Sequence, residues 1–470
     1  MKKVWLSLFS ILCIGLCLIP SLLTFVIPCG ETIGNEQETA LPSLFSEDKS
    51  FNVAFLTQLG EYFEKHFALR KEAITADALV QSEVFRVSNV DSVTVGSDGW
   101  LYYTSTVDDC LGKNTLSDRQ VSAVVHNLKM IEDYSKRRGA EFLFTSPPNK
   151  NTLYPEHMPY YLSVKTSDIH NRDLLNAALA KSEVNYYNLY DLFKDQDETL
   201  YLKRDSHWNN KGALLAYNGI LDHLGKSHDD FSSEGSIRRK DFKGDLSRML
   251  YPALHDTEYN DYYDTEGRYS YNEGFQSVED NLITTTCADA ASTLYMYRDS
   301  FSNALVPFFA SAFEKATFSK GFAVDLDKTF SETQTDVYII ELVERNIDWL
   351  ITMPPFFATA QLTYYQPSEI KSADITFAAE DCVYSSAYKI LTAALPEEVD
   401  PSSSLYISTE NEDGSKKAYE AFLITDDSGA LTAQAYVKAE DFSDSAVNGY
   451  SLLTETDHRY TEYVSLDRSS

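Results

Sequence analysis

The sequence predicts an α/β fold with a mostly parallel sheet covered on both faces by helices, followed by a smaller β-rich, sandwich-like unit. Three observations predict it. From about Leu116 to residue 355, short apolar runs of strand length alternate with helical segments, the pattern of parallel strands joined by helical crossovers. From about Ser372 helical periodicity fades into short Val/Ile/Tyr/Leu runs separated by turns such as Glu412-Asp413-Gly414. At 470 residues the chain is also longer than one hydrophobic core usually supports, so two folded units are expected.

The elements follow in order. Lys2 and Lys3 precede an apolar run from Val4 to Pro28. A span of about 20 apolar residues crosses a bilayer, and flanking positive charge stays on the cytoplasmic side. Residues 1–30 are therefore expected to be a membrane anchor or signal. With no A-x-A-like cleavage site, the anchor is favoured, and the rest of the chain is expected outside the cytoplasm. Residues 31–371 are expected to form the main domain, beginning with a polar linker over 31–52. Val53, Phe55, Leu56, Leu59, Tyr62, Phe63 and Phe67 recur at helical spacing. Val93 to Tyr103 reads as a hairpin around Ser97-Asp98-Gly99. Ser117 or Asp118 opens a helix whose buried stripe is Val121, Val124, Val125, Leu128, Ile131 and Tyr134, with Lys136–Arg138 in its last turn and Gly139 as its stop. Phe142–Phe144 is a short buried strand. A helix over 167–182 and a strand over Val184–Leu189 repeat the unit, and a helix follows from about Lys211 to Leu224. Ser292–Tyr297 and Val337–Glu341 read as further strands. Ligands on such sheets bind beyond the carboxyl ends of strands, which directs attention to the loops after Phe144, Tyr297 and Ile340. Residues 372–470 form the β-rich unit.

Composition excludes one class of function. With 71 Asp and Glu against 40 Lys and Arg, the net charge of −31 opposes binding to nucleic acid, which needs a cationic footprint. The 31 Tyr and 26 Phe suit stacking on sugar rings, and equally suit half-buried strand positions. Cys110, Cys287 and Cys382 are isolated, without the spacing of a zinc site or a disulfide framework. No P-loop, dinucleotide fingerprint or H-E-x-x-H occurs.

Two stretches carry chemistry. In Lys203-Arg204-Asp205-Ser206-His207-Trp208-Asn209-Asn210, Asp205 and His207 project to one side of an extended backbone, where the carboxylate can orient the imidazole. Asn209 or Asn210 would cap the helix behind them. Read alone, the same residues also fit a polar loop with Asp205 paired to Arg204. In Tyr297-Arg298-Asp299-Ser300-Phe301-Ser302, a strand runs into a helical stretch, placing the Ser300 hydroxyl on the ligand side near helix N–H groups. Ser300 or Ser302 would equally serve as a helix cap. Together the stretches supply nucleophile (Ser300), base (His207) and orienter (Asp205), with no metal or cofactor required.

Asp205-Ser206-His207-Trp208 resembles the D-x-H-W motif of the alginate O-acetyltransferase group and the related bacterial DHHW proteins, which are SGNH-hydrolase-like. Asp98–Tyr102, Pro148-Asn149-Lys150 with Tyr154-Pro155-Glu156, Arg298–Phe301, and Glu341 with Glu344-Arg345 agree, so the resemblance covers roughly residues 50–355. It implies an SGNH-like three-layer α/β/α domain, Ser300 as acyl acceptor, His207 as base and Asp205 as its orienter. It also implies a polysaccharide substrate and acetyl delivered across the membrane by a multipass acyltransferase of the MBOAT class. The C-terminal unit would then be the counterpart of the family's carbohydrate-binding module. SGNH enzymes usually show Gly where Arg298 stands, making Arg298, Asn149 and the Ser300 N–H the candidate oxyanion donors. Lys150 and Trp208 are further substrate-contact candidates, although a buried Trp is more often core and Lys150 equally fits a surface position. The reading is an extracytoplasmic polysaccharide O-acetyltransferase. A carbohydrate acetyl esterase and a non-catalytic glycan-binding surface protein are the alternatives.

Overall fold

The computed structural model describes residues 2–24, 26, 39–46, 49–162, 165–233, 235–321, 324–426, 428–443 and 447–465. Part of the expected 31–52 linker (residues 31–38, 47 and 48) lies outside the described residues. Lys2–Leu23 is helical. Among the described residues, no helix is long and apolar enough to cross a membrane. The helix expected after Asn52 is Phe55–His66; Leu69 follows at a positive φ of 65°, and a second helix, Arg70–Val80, begins after it.

Strands β1 (Val93–Val95) and β2 (Leu101–Tyr103) form the expected hairpin, with Gly99 at φ +79° supplying the left-handed turn position. The central sheet comprises β3 (Glu141–Thr145), β4 (Tyr186–Tyr187), β7 (Ser270–Tyr271), β8 (Leu282–Thr286), β9 (Thr293–Arg298), β10 (Lys315–Ser319) and β11 (Val337–Glu341). β5 (Ile237–Phe242) and β6 (Glu258–Tyr262) stand apart as an antiparallel ribbon. Sheet order is β4-β3-β11-β9-β10-β8-β7, parallel from β4 to β10, with β8 and β7 added antiparallel. Glu341 is in register with both Arg298 and Thr145, so β3, β9 and β11 end level with one another. The helix Asp118–Arg137 begins in a reciprocal capping box between Ser117 and Gln120. Of its expected apolar stripe, Val121, Val124, Leu128, Ile131 and Tyr134 are buried, and Val125 is half-buried.

The β-rich region begins at β12 (Gln361–Leu362) and β13 (Pro367–Ala373), somewhat before Ser372. With β14 (Phe377–Asp381), β15 (Tyr388–Ala394), β16 (Ser404–Asn411), β17 (Lys416–Glu420), β18 (Phe422–Thr425), β19 (Leu431–Lys438), β20 (Val447–Thr456) and β21 (Arg459–Ser465) it makes two sheets, of six strands (β12-β17-β16-β20-β21-β13) and four (β14-β15-β19-β18). One continuous apolar cluster runs from the Asp118–Arg137 helix and the β3/β11 face to Leu391, Leu423 and Leu452 of this region. Fully buried Asn127 crosses the junction: its amide nitrogen donates to Leu350 O and Leu423 O (both 2.7 Å), and its oxygen accepts from Leu423 N at 2.8 Å. Replacing Asn127 by Leu strands three backbone groups in an apolar interface. We expect about 2–4 kcal/mol lower stability in denaturant unfolding.

Candidate active site

β9 delivers Ser300 to the carboxyl end of the sheet. The chain leaves Arg298, turns at Asp299 and enters a short 3-10 helix, Ser300–Ala304. The Asp299 carboxylate fixes this turn. Oδ1 accepts from Phe301 N at 2.9 Å, and Oδ2 accepts from Val343 N and Asn346 Nδ2, both at 2.8 Å. The Ser300 turn is thereby locked to the loop that follows β11. Beneath it, the buried Glu341 carboxylate accepts from Ser302 Oγ. Burial, and then the charge of Asp299, push the Glu341 carboxyl well above the ordinary range.

The Asp-His stretch is a closed loop. Tyr201 and Trp208 pair antiparallel at its neck, and Leu202 N donates to His207 O at 3.2 Å. Within it, His207 Nδ1–H donates to Asp205 Oδ1 at 2.6 Å, and Nε2 accepts from Ser300 Oγ at 2.8 Å, across 93 positions of sequence. Asp205 Oδ1 also accepts from His207 N, and Oδ2 from Asp245 N at 2.7 Å. Burial opposes the charged form of Asp205, but the His207 charge and these hydrogen bonds outweigh it and hold the carboxyl at about 2. Burial likewise disfavours imidazolium at His207, yet the Asp205 charge and hydrogen bond raise its pKa above 6.5. A carboxylate fixed in its ionised form, an imidazole oriented by it and a serine hydroxyl donating to that imidazole form a proton relay suited to nucleophilic attack.

The other sequence candidates serve different ends. Lys150 is buried, and its ammonium fills the Asp-His loop, donating to Leu202 O and Lys203 O (3.1 Å each) and Asp205 O (2.5 Å). Burial lowers its pKa to about 8. It holds the loop rather than a substrate. Trp208 is also buried: its indole N–H donates to Phe301 O at 3.0 Å, while the ring packs on Phe193 and Phe301. It ties the residue after His207 to the residue after Ser300 and presents no sugar platform. Asn149 is enclosed, its N–H donating to Glu344 Oε2 at 2.8 Å and its side chain directed at Asp109. The Arg298 terminal nitrogens donate to Val278 O, Asp280 O, Asp299 O and Asn303 Oδ1, and its Nε is buried without a partner. Both candidate side-chain oxyanion donors are thus replaced by structural roles, because each is desolvated among acceptors it must satisfy.

Sequence reasoning missed Asp245. It opens the short helix Asp245–Leu250 and accepts from Ser206 N (2.7 Å) and Ser206 Oγ (2.5 Å), bracing the residue between Asp205 and His207. The only local signal was Gly244, where any Cβ would collide with the Arg204 carbonyl. Ligand atoms of Asp205, His207 and Asp245 lie within 4.8 Å of one another, a spacing a cation could use. The Asp205 and Asp245 oxygens are already taken by His207, Asp245 and Ser206 donors, so the cluster reads as an orienting network. Ser300 and His207 open onto a cavity of about 850 Å³, whose far wall includes Phe242, Arg248, Tyr262 and Tyr263.

Three outcomes follow. Lys150→Met takes the ammonium donor from the buried carbonyls of Leu202 and Asp205, while Lys203 O keeps its bond from Leu101 N, and stability should fall by about 2–5 kcal/mol in urea unfolding. Because only neutral His207 accepts a proton, kcat/KM should rise with pH through an apparent pKa above 6.5. Asp205→Asn removes the charge that raised it, moving this limb to lower pH and cutting kcat by about 10⁴-fold in a pH–rate profile.

Residues 93–304 match the family model described as SGNH hydrolase-like domain, acetyltransferase AlgX. No curated protein matches the chain. Among solved structures, PatB1 of Bacillus cereus overlays with a TM-score of 0.42 at 18% identity, covering 53% of this chain and 95% of its own. A DHHW family protein from Eubacterium siraeum gives 0.41 at 14%, covering 54% and 94%. The O-acetyltransferase domain of Pseudomonas putida AlgJ gives 0.37 at 16%, covering 55% and 92%. The family match spans the hairpin, the Asp-His loop and the Ser300 turn, so the part of this chain that holds the site, residues 93–304, is similar to the SGNH hydrolase-like acetyltransferase domain of AlgX.

Proposed function

We propose that this protein is an O-acetyltransferase that modifies a polysaccharide through an acetyl group held covalently on Ser300. The observation that carries the proposal is the 2.8 Å hydrogen bond from Ser300 Oγ to an imidazole already oriented by Asp205. The AlgX-type domain match supports acetyl transfer as the reaction class.

In the proposed cycle, Ser300 Oγ attacks the carbonyl carbon of an acetyl ester as its proton passes to His207 Nε2. The carbonyl electron pair moves to oxygen. Collapse of the tetrahedral species expels the donor alcohol, which takes the proton from His207, and leaves acetyl-Ser300. A sugar hydroxyl then gives its proton to His207 and attacks the same carbonyl, and Ser300 Oγ leaves with that proton. Asp205 remains ionised throughout and stabilises each imidazolium. The cavity beside Ser300 has room for a sugar unit, and its aromatic wall offers faces on which a ring can stack.

Three parts of the proposal rest on sequence alone. The basic Lys2-Lys3 pair and the apolar run after it support a position outside the cytoplasm. Acetyl supply by an MBOAT-class membrane partner and glycan binding by the β-rich region follow from the family resemblance.

Ser300→Ala should abolish covalent labelling by a serine-reactive acylating probe, read by intact-protein mass spectrometry. Retained labelling would rule out Ser300 as the acyl carrier. Incubating the wild-type chain with an acetyl ester and an oligosaccharide should yield acetylated sugar. Acetate release without any transfer would identify an esterase instead.

A further inference from the structure

Attack by Ser300 places negative charge on the acyl oxygen, and a protein that performs it supplies donors there. Arg298 and Asn149 are committed elsewhere. The Phe301 N–H is held by Asp299 Oδ1. The Ser300 N–H, first in its short helix, has no acceptor within that helix. A second, cationic donor remains to be found.

Arg345 stands beside the nucleophile turn. It lies in the loop after β11, between Val343 and Asn346, and both of those residues donate to Asp299 Oδ2. Its side chain is half-buried, with the guanidinium carbon 5.4 Å from the Phe301 ring centroid and 5.5 Å from that of Tyr103. Neighbouring carboxylates face other partners: Glu344 Oε2 accepts from Asn149 N and Thr152 Oγ1, and Glu341 accepts from Ser302. Among the described residues Arg345 makes no ion pair or hydrogen bond through its side chain. A partly desolvated cation without a counter-ion is unusual in a chain of net charge −31. Aromatic stacking occupies a guanidinium's faces and leaves its N–H edge free for an anion.

We propose that Arg345 binds the carbonyl oxygen of the acyl group attacked by Ser300, stabilising the negative charge of the tetrahedral intermediate together with the Ser300 N–H. This assignment rests on the Ser300 reading above and adds a catalytic residue to it. Phe301 is the shared surface: the His207 ring packs against it at 4.8 Å, and Arg345 lies over it. The charged groups acting on His207 are Asp205, Asp245 and Arg345, and Arg345 is the one that opposes its protonation.

The test uses the full chain with p-nitrophenyl acetate as acyl donor. Arg345→Gln should lower kcat by about 10²–10³-fold, the usual cost of losing one oxyanion donor, with KM changed by less than about threefold. The acid limb of its pH–rate profile should also move to higher pH, because the charge opposing imidazolium is gone. Arg345→Lys should keep the wild-type limb and recover only part of kcat. A phosphonate adduct on Ser300 should show a guanidinium nitrogen about 2.7–3.1 Å from the phosphonyl oxygen. A lower melting temperature with unchanged kcat and an unmoved limb would reduce Arg345 to a packing residue and overturn the proposal, as would an adduct with the guanidinium turned away. If wild-type enzyme gives no acyl-Ser300 at all, the failure lies with the proposed function instead.

Discussion

The site depends on a buried ammonium group. Lys150 Nζ sits inside the loop closed by Tyr201 and Trp208 and donates to the carbonyls of Leu202, Lys203 and Asp205, the Lys203 carbonyl also accepting from Leu101 N. Backbone carbonyls pointing inward repel one another and are costly to bury unpaired. With the cation present, the Asp205 peptide is held from behind, so its carboxylate faces His207 in one orientation. Trp100 and Tyr102 of the hairpin region present their rings to the same ammonium at 5.7 and 5.3 Å, coupling the hairpin to the loop.

The relay is therefore a product of three separate restraints. Lys150 shapes the Asp-His loop, Asp299 shapes the nucleophile turn, and the Trp208 indole bond to Phe301 O sets the distance between them. None of the three needs to touch a substrate. Each is buried, and each satisfies polar atoms that the chemistry leaves unused. This division frees His207 and Ser300 to face the cavity with no structural duty beyond their mutual bond.

Much of this was legible in sequence where the signal is local. The stripe from Val121 to Tyr134 gave a helix at Asp118–Arg137, and the unbroken apolar run Val337–Ile340 gave β11. Asp205, His207 and Ser300 stood out because their types and spacing carry chemistry by themselves. Other elements were hidden. β8, Leu-Ile-Thr-Thr-Thr, is too polar to read as a core strand, since its partners bury only alternate residues. The expected strand Val184–Leu189 shrinks to two residues because Asn188 caps a helix at once. The helical stretch after Ser300 splits, since Pro307 can occupy only a first turn and restarts the helix at Val306. Lys150 and Trp208 were noticed for their side-chain types, but residue type says nothing about direction, and both point inward. Asp245 comes from a segment 40 residues beyond Asp205, in a dipeptide too common to mark, whereas Arg345 stood in the Glu344-Arg345 segment of the family resemblance with no role attached.

The shared core across the Asp118–Arg137 helix has a mechanical consequence. Arg119 clasps the carbonyls of Pro396, Glu397 and Val399, while Tyr388 reaches Asp325 and Asp327, so the β-rich region is bolted to the helices Asp118–Arg137 and Leu326–Glu332 at several points and does not swing on a tether. Under the proposed function, a polymer held by that region would be offered to Ser300 at a constant reach. The spacing of modified units along such a polymer would then be dictated by protein geometry, as the interval on a ruler, rather than by the slack of a linker.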